Sequence, residues 1–176
     1  MFALDALLRL GYRGAYQAMR LYWRTFHPNT HGAMVTIWCN GEVLLVRNSY
    51  IPFYSLPGGY VQNGETGREA AARELREEIG LSVDADLLVP LLDHVHVWEG
   101  KRDHVEVFAL QVAAPPEVKI DNREVVAAAF YPPARARELP LFPPVRLAIE
   151  QHEQPAASVS PGRGARASSA ENHAAR

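Results

Sequence analysis

The sequence predicts an α/β domain with a helix added in front and a disordered tail behind. Three observations predict it. Apolar and β-branched runs recur at residues 33–39, 43–46, 87–98, 104–112 and 125–131, each short enough for a strand. One strongly capped helical segment, residues 66–80, sits between the second and third of them. From Gln154 onward the chain is Ala, Ser, Gly, Pro and Arg, and Val159 is its sole large apolar residue. The expected division is an amphipathic helical extension over 1–31, a catalytic domain over 32–152 and the tail over 153–176.

A chain of 176 residues with 48% hydrophobic and 22% charged residues buries a core of ordinary size. Its formal net charge of −2 gives no overall attraction to nucleic acid or to an anionic membrane, so no stable nucleic-acid binding is expected. The single cysteine, Cys39, excludes an internal disulfide framework, fits a buried strand thiol, and suits a cytoplasmic protein. No apolar run approaches the ~20 residues of a membrane span, and no secretory signal is read at the start.

Residues 1–26 read as one helix, or as two halves hinged near Gly11 and Gly14. Arg9, Arg13, Arg20 and Arg24 fall within about 60° of one another at 100° per residue, flanked by Tyr12, Tyr16 and Trp23. The first expectation is that the helix packs its apolar side on the domain and leaves the arginines in solvent. The alternative is peripheral contact with a membrane or a second copy of the chain. Pro28, Asn29 and Gly32 then end the helix. Asn40-Gly41 between two apolar runs signals a type I′ hairpin, which needs positive φ at both positions.

Within 66–80, Thr66 and Glu69 have the spacing of a capping box, and Gly80 is a C-terminal stop. Residues 87–98 and 104–112 read as two strands joined by a charged loop, 99–103. If 96 lies opposite 106, His94, His96, His104 and Glu106 share a face. Cross-strand polar neighbours are the expectation there, with Zn²⁺ ligation the alternative. Residues 144–151 read as a closing helix.

The helix at 67–79 carries the chemistry. Glu74, Glu77 and Glu78 stand at i, i+3 and i+4, which puts their carboxylates on one side, while Ala72, Leu75 and Ile79 take the buried side. Like charges at this spacing repel by a few tenths of a kcal/mol per pair. A hard divalent cation offsets that, and so does a solvated face paired with arginines. Arg73 lies one turn from Glu69 and Glu77.

The full string is Gly59-x5-Glu65-x7-Arg73-Glu74-Leu75-x-Glu77-Glu78-x-Gly80-Leu81, nine specified positions across 23 residues. It resembles the Nudix box at every fixed position, and Leu56-Pro57-Gly58-Gly59 ahead of it is similar to the family's approach loop. The resemblance covers residues from about 32 to 150. It implies an α/β/α sandwich around a mixed central sheet. It also implies Mg²⁺, with Mn²⁺ as a substitute, held by Glu74, Glu77, Glu78 and the Gly59 carbonyl. Arg73 would orient a glutamate, Glu65 would brace the loop, and Gly80 would close the helix. The implied reaction is hydrolysis of a phosphoanhydride bond in a nucleoside diphosphate linked to another moiety, by water attack at phosphorus. The alternative is a non-catalytic nucleotide sensor or scaffold on the same fold.

The general base stays open among Glu74, Glu106 and Glu124. Trp98, Tyr54 and Arg47 are further candidates for substrate contact, with Tyr50, Phe53 and Tyr60 as aromatic rings able to stack on a base. The substrate also stays open. Val97 stands where members of the family that prefer ADP-ribose often carry proline, and Trp98 where those cleaving dinucleotide polyphosphates tend to carry tyrosine.

Overall fold

The computed structural model describes residues 2–120 and 122–154, with side chains from Asp5 onward. The tail expected over 153–176 lies outside the described residues from 155. Glu153 ends the last helix instead of opening that tail.

Seven strands form one mixed sheet: β1 (Asn29–Cys39), β2 (Glu42–Asn48), β3 (Tyr54–Ser55), β4 (Gly58–Tyr60), β5 (Val89–Trp98), β6 (Lys101–Gln111) and β7 (Val125–Tyr131). The order is β3-β2-β1-β6-β5, with β4 pairing β1 and β7 pairing β2. β1 and β6 run parallel from Asn29↔Arg102 to Trp38↔Gln111, and the other pairs are antiparallel. The β1–β2 turn is Asn40-Gly41, with φ of 51° and 79°, as the dipeptide predicts. β1 begins earlier than expected. Gly32, read as a helix breaker, lies inside the strand opposite Tyr60 and Val105.

Alternation along the strands divides the core. Ala33, Val35, Ile37, Leu44, Val46, Phe108 and Leu110 pack under α2 (Gly67–Ile79) with Ala70, Ala71, Leu75 and Ile79. Val43, Leu45, Val105 and Val107 face the other way, onto α3 (Pro133–Ala136) and α4 (Pro143–Glu153) through Ala136, Val145, Ala148 and Ile149. The sheet is therefore sandwiched between helices. Ala72, expected on the buried side of α2, is at its margin, and Ala71 takes that place. Cys39 is buried.

Two further expectations are corrected. The β5–β6 connection is the two-residue turn Glu99-Gly100, both at positive φ, and not a loop over 99–103. Lys101 and Asp103 thereby become strand residues that point inward. The register places His96 opposite Asp103 and Asp93 opposite Glu106, an odd shift that flips faces. His94 and His96 are thus on one face, stacked at 5.6 Å, and His104 and Glu106 on the other. No group of three His, Cys, Asp or Glu gathers there as a metal site among the described residues.

The second correction concerns α1 (Phe2–Phe26), a single unbroken helix. It turns Arg9, Arg13 and Arg20 and the rings of Tyr12, Tyr16 and Trp23 toward the domain, while Arg24 stays exposed as expected. Arg9 Nε donates to Asn122 O at 2.8 Å, Arg13 Nε to Ser49 O at 3.1 Å, and Arg20 pairs with Glu99 at 2.7 Å. Trp23 is buried, while Leu7, Leu10, Leu21 and Phe26 are exposed. Ring stacking and carbonyl partners lined up along one side of the helix outweigh the more diffuse apolar side. No described helix is long and apolar enough to cross a membrane.

Candidate active site

Local chemistry places the acidic helix. Thr66 caps α2, and the Glu69 carboxylate accepts from the Thr66 backbone N–H at 2.7 Å, completing the capping box. At the other end Gly80 adopts the left-handed conformation, φ 70°, and its N–H reaches Leu75 O. Two glycines of β4 lie where a Cβ would collide, Gly58 with the β1 backbone and Gly59 with the Glu74 side chain of α2. At Gly58, φ 153°, a Cβ would overlap the Ala33 carbonyl and come within 2.7 Å of Met34 Cα. At Gly59 it would meet the Glu74 carboxyl carbon at 2.6 Å. Backbone cannot yield as a side chain can, so Gly58→Ala is expected to cost about 3 kcal/mol or more. A denaturation midpoint equal to wild type would contradict the packing described.

Arg73 is the hub of the site. Its Nη2 and Nε grip Glu65 Oε1 and Oε2 at 2.8 and 3.2 Å, and Nη2 also donates to Tyr60 O at 3.0 Å. Its Nη1 donates to Glu74 Oε1 at 2.6 Å and Glu77 Oε2 at 3.2 Å. Glu65 in turn accepts from Gln62 N–H at 2.7 Å, tying the loop to the helix. The Arg73 contact holds Glu65 below the usual carboxylate range.

Glu78 is different. One oxygen accepts from Gly58 N–H at 2.9 Å and the Asn48 amide also favours its anion, yet burial dominates, with Glu74 and Glu124 adding repulsion. Its carboxyl is pushed up to about 8. Burial raises Glu74 as well, against the pull of Arg73, with Glu77 and Glu124 adding to the rise. Glu124, one of the sequence candidates, is thus brought beside Glu74 and Glu78, and Tyr50 Oη donates to its Oε1 at 2.8 Å. Glu77 is the most exposed of Glu74, Glu77 and Glu78 and turns toward Arg73 and Arg76. As the side chains stand, no three acids or histidines among the described residues close on one point.

The remaining candidates separate. Glu106 is paired with His31 at 2.7 Å and fills the space beside Gly67, at the start of α2. Trp98 lines an apolar cavity of about 310 Å³ with Tyr50, Phe53, Tyr60 and Phe142, and the cavity reaches Asn48, Gly58 and Glu124. Tyr54 is not among the lining residues and packs edge-on against Tyr131 at 5.9 Å. Arg47 is exposed and faces a separate concavity with Arg9 and Arg13.

Three features were not read from the sequence. Asn48 is buried beside the acids with its Oδ1 lacking a hydrogen-bond partner. Lys101 and Asp103 form a buried ion pair of 2.8 Å, extended by Thr30 Oγ1 to Asp103 at 2.5 Å. Tyr50 braces Glu124. Alternation through 101–103 was the available signal for the pair, masked by the run of charges.

Known proteins agree with this geometry. A sequence model of the NUDIX domain matches residues 29–151. A putative 8-oxo-dGTP diphosphatase of Bacillus subtilis is 44% identical over 52 residues, 29% of this chain and 35% of that protein. An ADP-ribose pyrophosphatase of Methanocaldococcus jannaschii is 44% identical over 45 residues, 24% of this chain and 27% of that protein. The matches therefore span only about a third of those relatives. Among solved structures, a MutT NUDIX hydrolase from Burkholderia pseudomallei aligns with a TM-score of 0.60 and 24% identity, covering 70% of this chain and 97% of that one. The NUDIX domain of Shewanella oneidensis NrtR, complexed with ADP ribose, aligns at 0.61 and 20% identity, covering 73% and 88%. With the domain match running through the box, the capped acidic helix and the mixed sheet, this chain belongs to the Nudix family.

Proposed function

We propose that this protein hydrolyses a phosphoanhydride bond in a nucleoside diphosphate linked to another moiety, by attack of water at phosphorus with Mg²⁺ bound, or Mn²⁺ in its place. Nudix hydrolases generally use divalent ions. The observation that carries the reading is Glu78, sunk beside Glu74 and Glu124 and pushed up to about 8. Acids held together against burial and repulsion fit a hard cation that takes oxygen ligands.

Glu74, Glu77 and Glu78 would hold the ion, with the Gly59 carbonyl as a further oxygen. When bound, the ion neutralises charge on the diphosphate and lowers the pKa of a water. Arg73 orients Glu74 and Glu77, and Glu65 fixes Arg73. The Gly58 N–H holds one oxygen of Glu78. Glu124, positioned by the Tyr50 hydroxyl, accepts the proton of the attacking water. Glu106 is left out of this assignment because His31 occupies it.

The substrate's ring enters the aromatic cavity beside Trp98. The lone buried Cys39 is in keeping with a reducing cytoplasm. Contact of residues 1–26 with a second copy or a lipid surface rests on the exposed Leu7, Leu10, Leu21 and Phe26. The lipid form is weakened because Arg9, Arg13 and Arg20 are engaged with the domain.

A panel of canonical, oxidised and sugar-linked nucleotides tests the reading by phosphate detection and mass spectrometry. Turnover is expected with Mg²⁺, lost in EDTA and restored by added ion. Tight nucleotide binding without product would favour the sensor reading instead.

A further inference from the structure

The aromatic cavity has one wall that comes from outside the family domain. α1 ends before residue 29, where the domain match begins, yet Tyr12, Ala15, Tyr16, Met19 and Trp23 line the cavity from that helix. On the domain side, Phe53 meets Trp98 edge-on at 5.7 Å and Trp98 meets Phe142 at 5.3 Å. On the helix side, Tyr12 stacks on Tyr50 at 6.0 Å and Tyr16 tilts against it at 5.4 Å. The helix is clamped in this place. Tyr16 Oη donates to Glu99 at 2.8 Å, and the α1 backbone near Arg24 approaches Gly100 so closely that a Cβ there would lie 2.9 Å from Arg24 Cα.

Size and charge restrict what can enter. About 310 Å³ is the lower end of the ~300–1,000 Å³ range of small-molecule sites, room for one nucleoside-sized group. Among the described residues the one cation in the lining is Lys101, and it is committed. It pairs with Asp103 and lies 4.7 Å from the Trp23 ring centroid and 5.2 Å from that of Tyr60. Nothing cationic in the lining is left to receive a second phosphate. Besides Glu124, the lining carries the polar side chains of Ser55 and Asn48, and Asn48, 7% exposed, has an Oδ1 that accepts no hydrogen bond. A buried acceptor without a partner favours a ligand that brings an N–H.

We infer that α1 is part of the active site and serves as its specificity wall. It closes the cavity into a slot for one uncharged aromatic ring bearing an N–H donor, the base of a mononucleoside di- or triphosphate, and leaves no room for a second nucleoside. This rests on the hydrolase reading for the phosphate end alone.

The experiment has two arms on the full chain. Adenosine and guanosine, without phosphates and in EDTA, are titrated by quenching of tryptophan fluorescence, since Trp23 and Trp98 line the slot. Steady-state kinetics then use nucleoside triphosphates and dinucleoside polyphosphates with Mg²⁺. Ala15→Phe fills the slot from an exposed helix position, and Tyr12→Ala removes part of its wall. Both are expected to weaken nucleoside binding about tenfold or more and to raise KM for the triphosphates equally, with kcat within about twofold. Ala18→Gln, on the outer side of the same helix, changes neither. Wild type is expected to show a KM for dinucleoside polyphosphates at least about tenfold above that for the triphosphates. Turnover with neither α1 substitution affecting KM or nucleoside binding overturns the wall and leaves the hydrolase standing. Nucleoside binding that depends on α1 without any turnover does the reverse.

Discussion

Glu78→Gln is expected to remove ion-dependent turnover by on the order of 10²–10³-fold while stabilising the ion-free protein at alkaline pH. Both effects come from one carboxyl. In the folded chain burial and the neighbouring Glu74 and Glu124 push it to about 8, against 4.5 for the ordinary carboxylate. Between those values the native state holds a proton that the unfolded chain has lost. Stability of the ion-free protein therefore falls as pH rises from about 4.5 to 8, and levels off above. The penalty is on the order of 5 kcal/mol, and a neutral amide removes its pH dependence. A bound cation reverses the sign, because it needs the deprotonated acid, so divalent-ion affinity should climb through the same window with release of protons. Urea denaturation in EDTA at pH 5 and pH 9, for wild type and variant, reads the first effect. A variant less stable than wild type at pH 9, or one that keeps its turnover, would defeat the account of Glu78.

Arg73→Ala is expected to cost about 2–4 kcal/mol in stability and to lower kcat/KM by on the order of 10²-fold. The guanidinium satisfies Glu65, Glu74, Glu77 and the Tyr60 carbonyl at once and is only 15% exposed. Its removal leaves carboxylates facing one another with no counter-charge, and the loop at 60–65 loses its tie to the helix. Arg73→Lys should recover little, because an ammonium cannot reproduce the planar fork toward Glu65 while reaching Glu74. Thermal melts and kinetics on both variants check this, and a lysine variant with wild-type activity would refute the geometric role.

Local signals explain what was legible beforehand. The capping box at Thr66–Glu69, the left-handed Gly80 and the Asn40-Gly41 turn each depend on a few adjacent residues, and each has the structure its sequence predicts. Where a side chain is aimed depended on nonlocal facts. Lys101 and Asp103 sit in a charged string that reads as a loop, and only the tight Glu99-Gly100 turn makes them strand residues facing inward. The same turn shifts the register that separates His96 from His104 and Glu106. Arg9, Arg13 and Arg20 of α1 lie in a stripe that sequence periodicity alone would leave in solvent, because their partners are two carbonyls and a carboxylate more than thirty residues away, at Asn122, Ser49 and Glu99. Asn48 and Tyr50 gain meaning only once Glu78 and Glu124 are beside them.

The most direct measurement is a crystal structure of the full chain grown with Mg²⁺ and a non-hydrolysable nucleoside triphosphate analogue. The account predicts an ion with oxygens of Glu74 and Glu78 in its coordination sphere at about 2.0–2.1 Å, bridging to phosphate oxygens, with the base between α1 and Trp98. Ordered nucleotide bound elsewhere, with no ion density at those carboxylates, would contradict it.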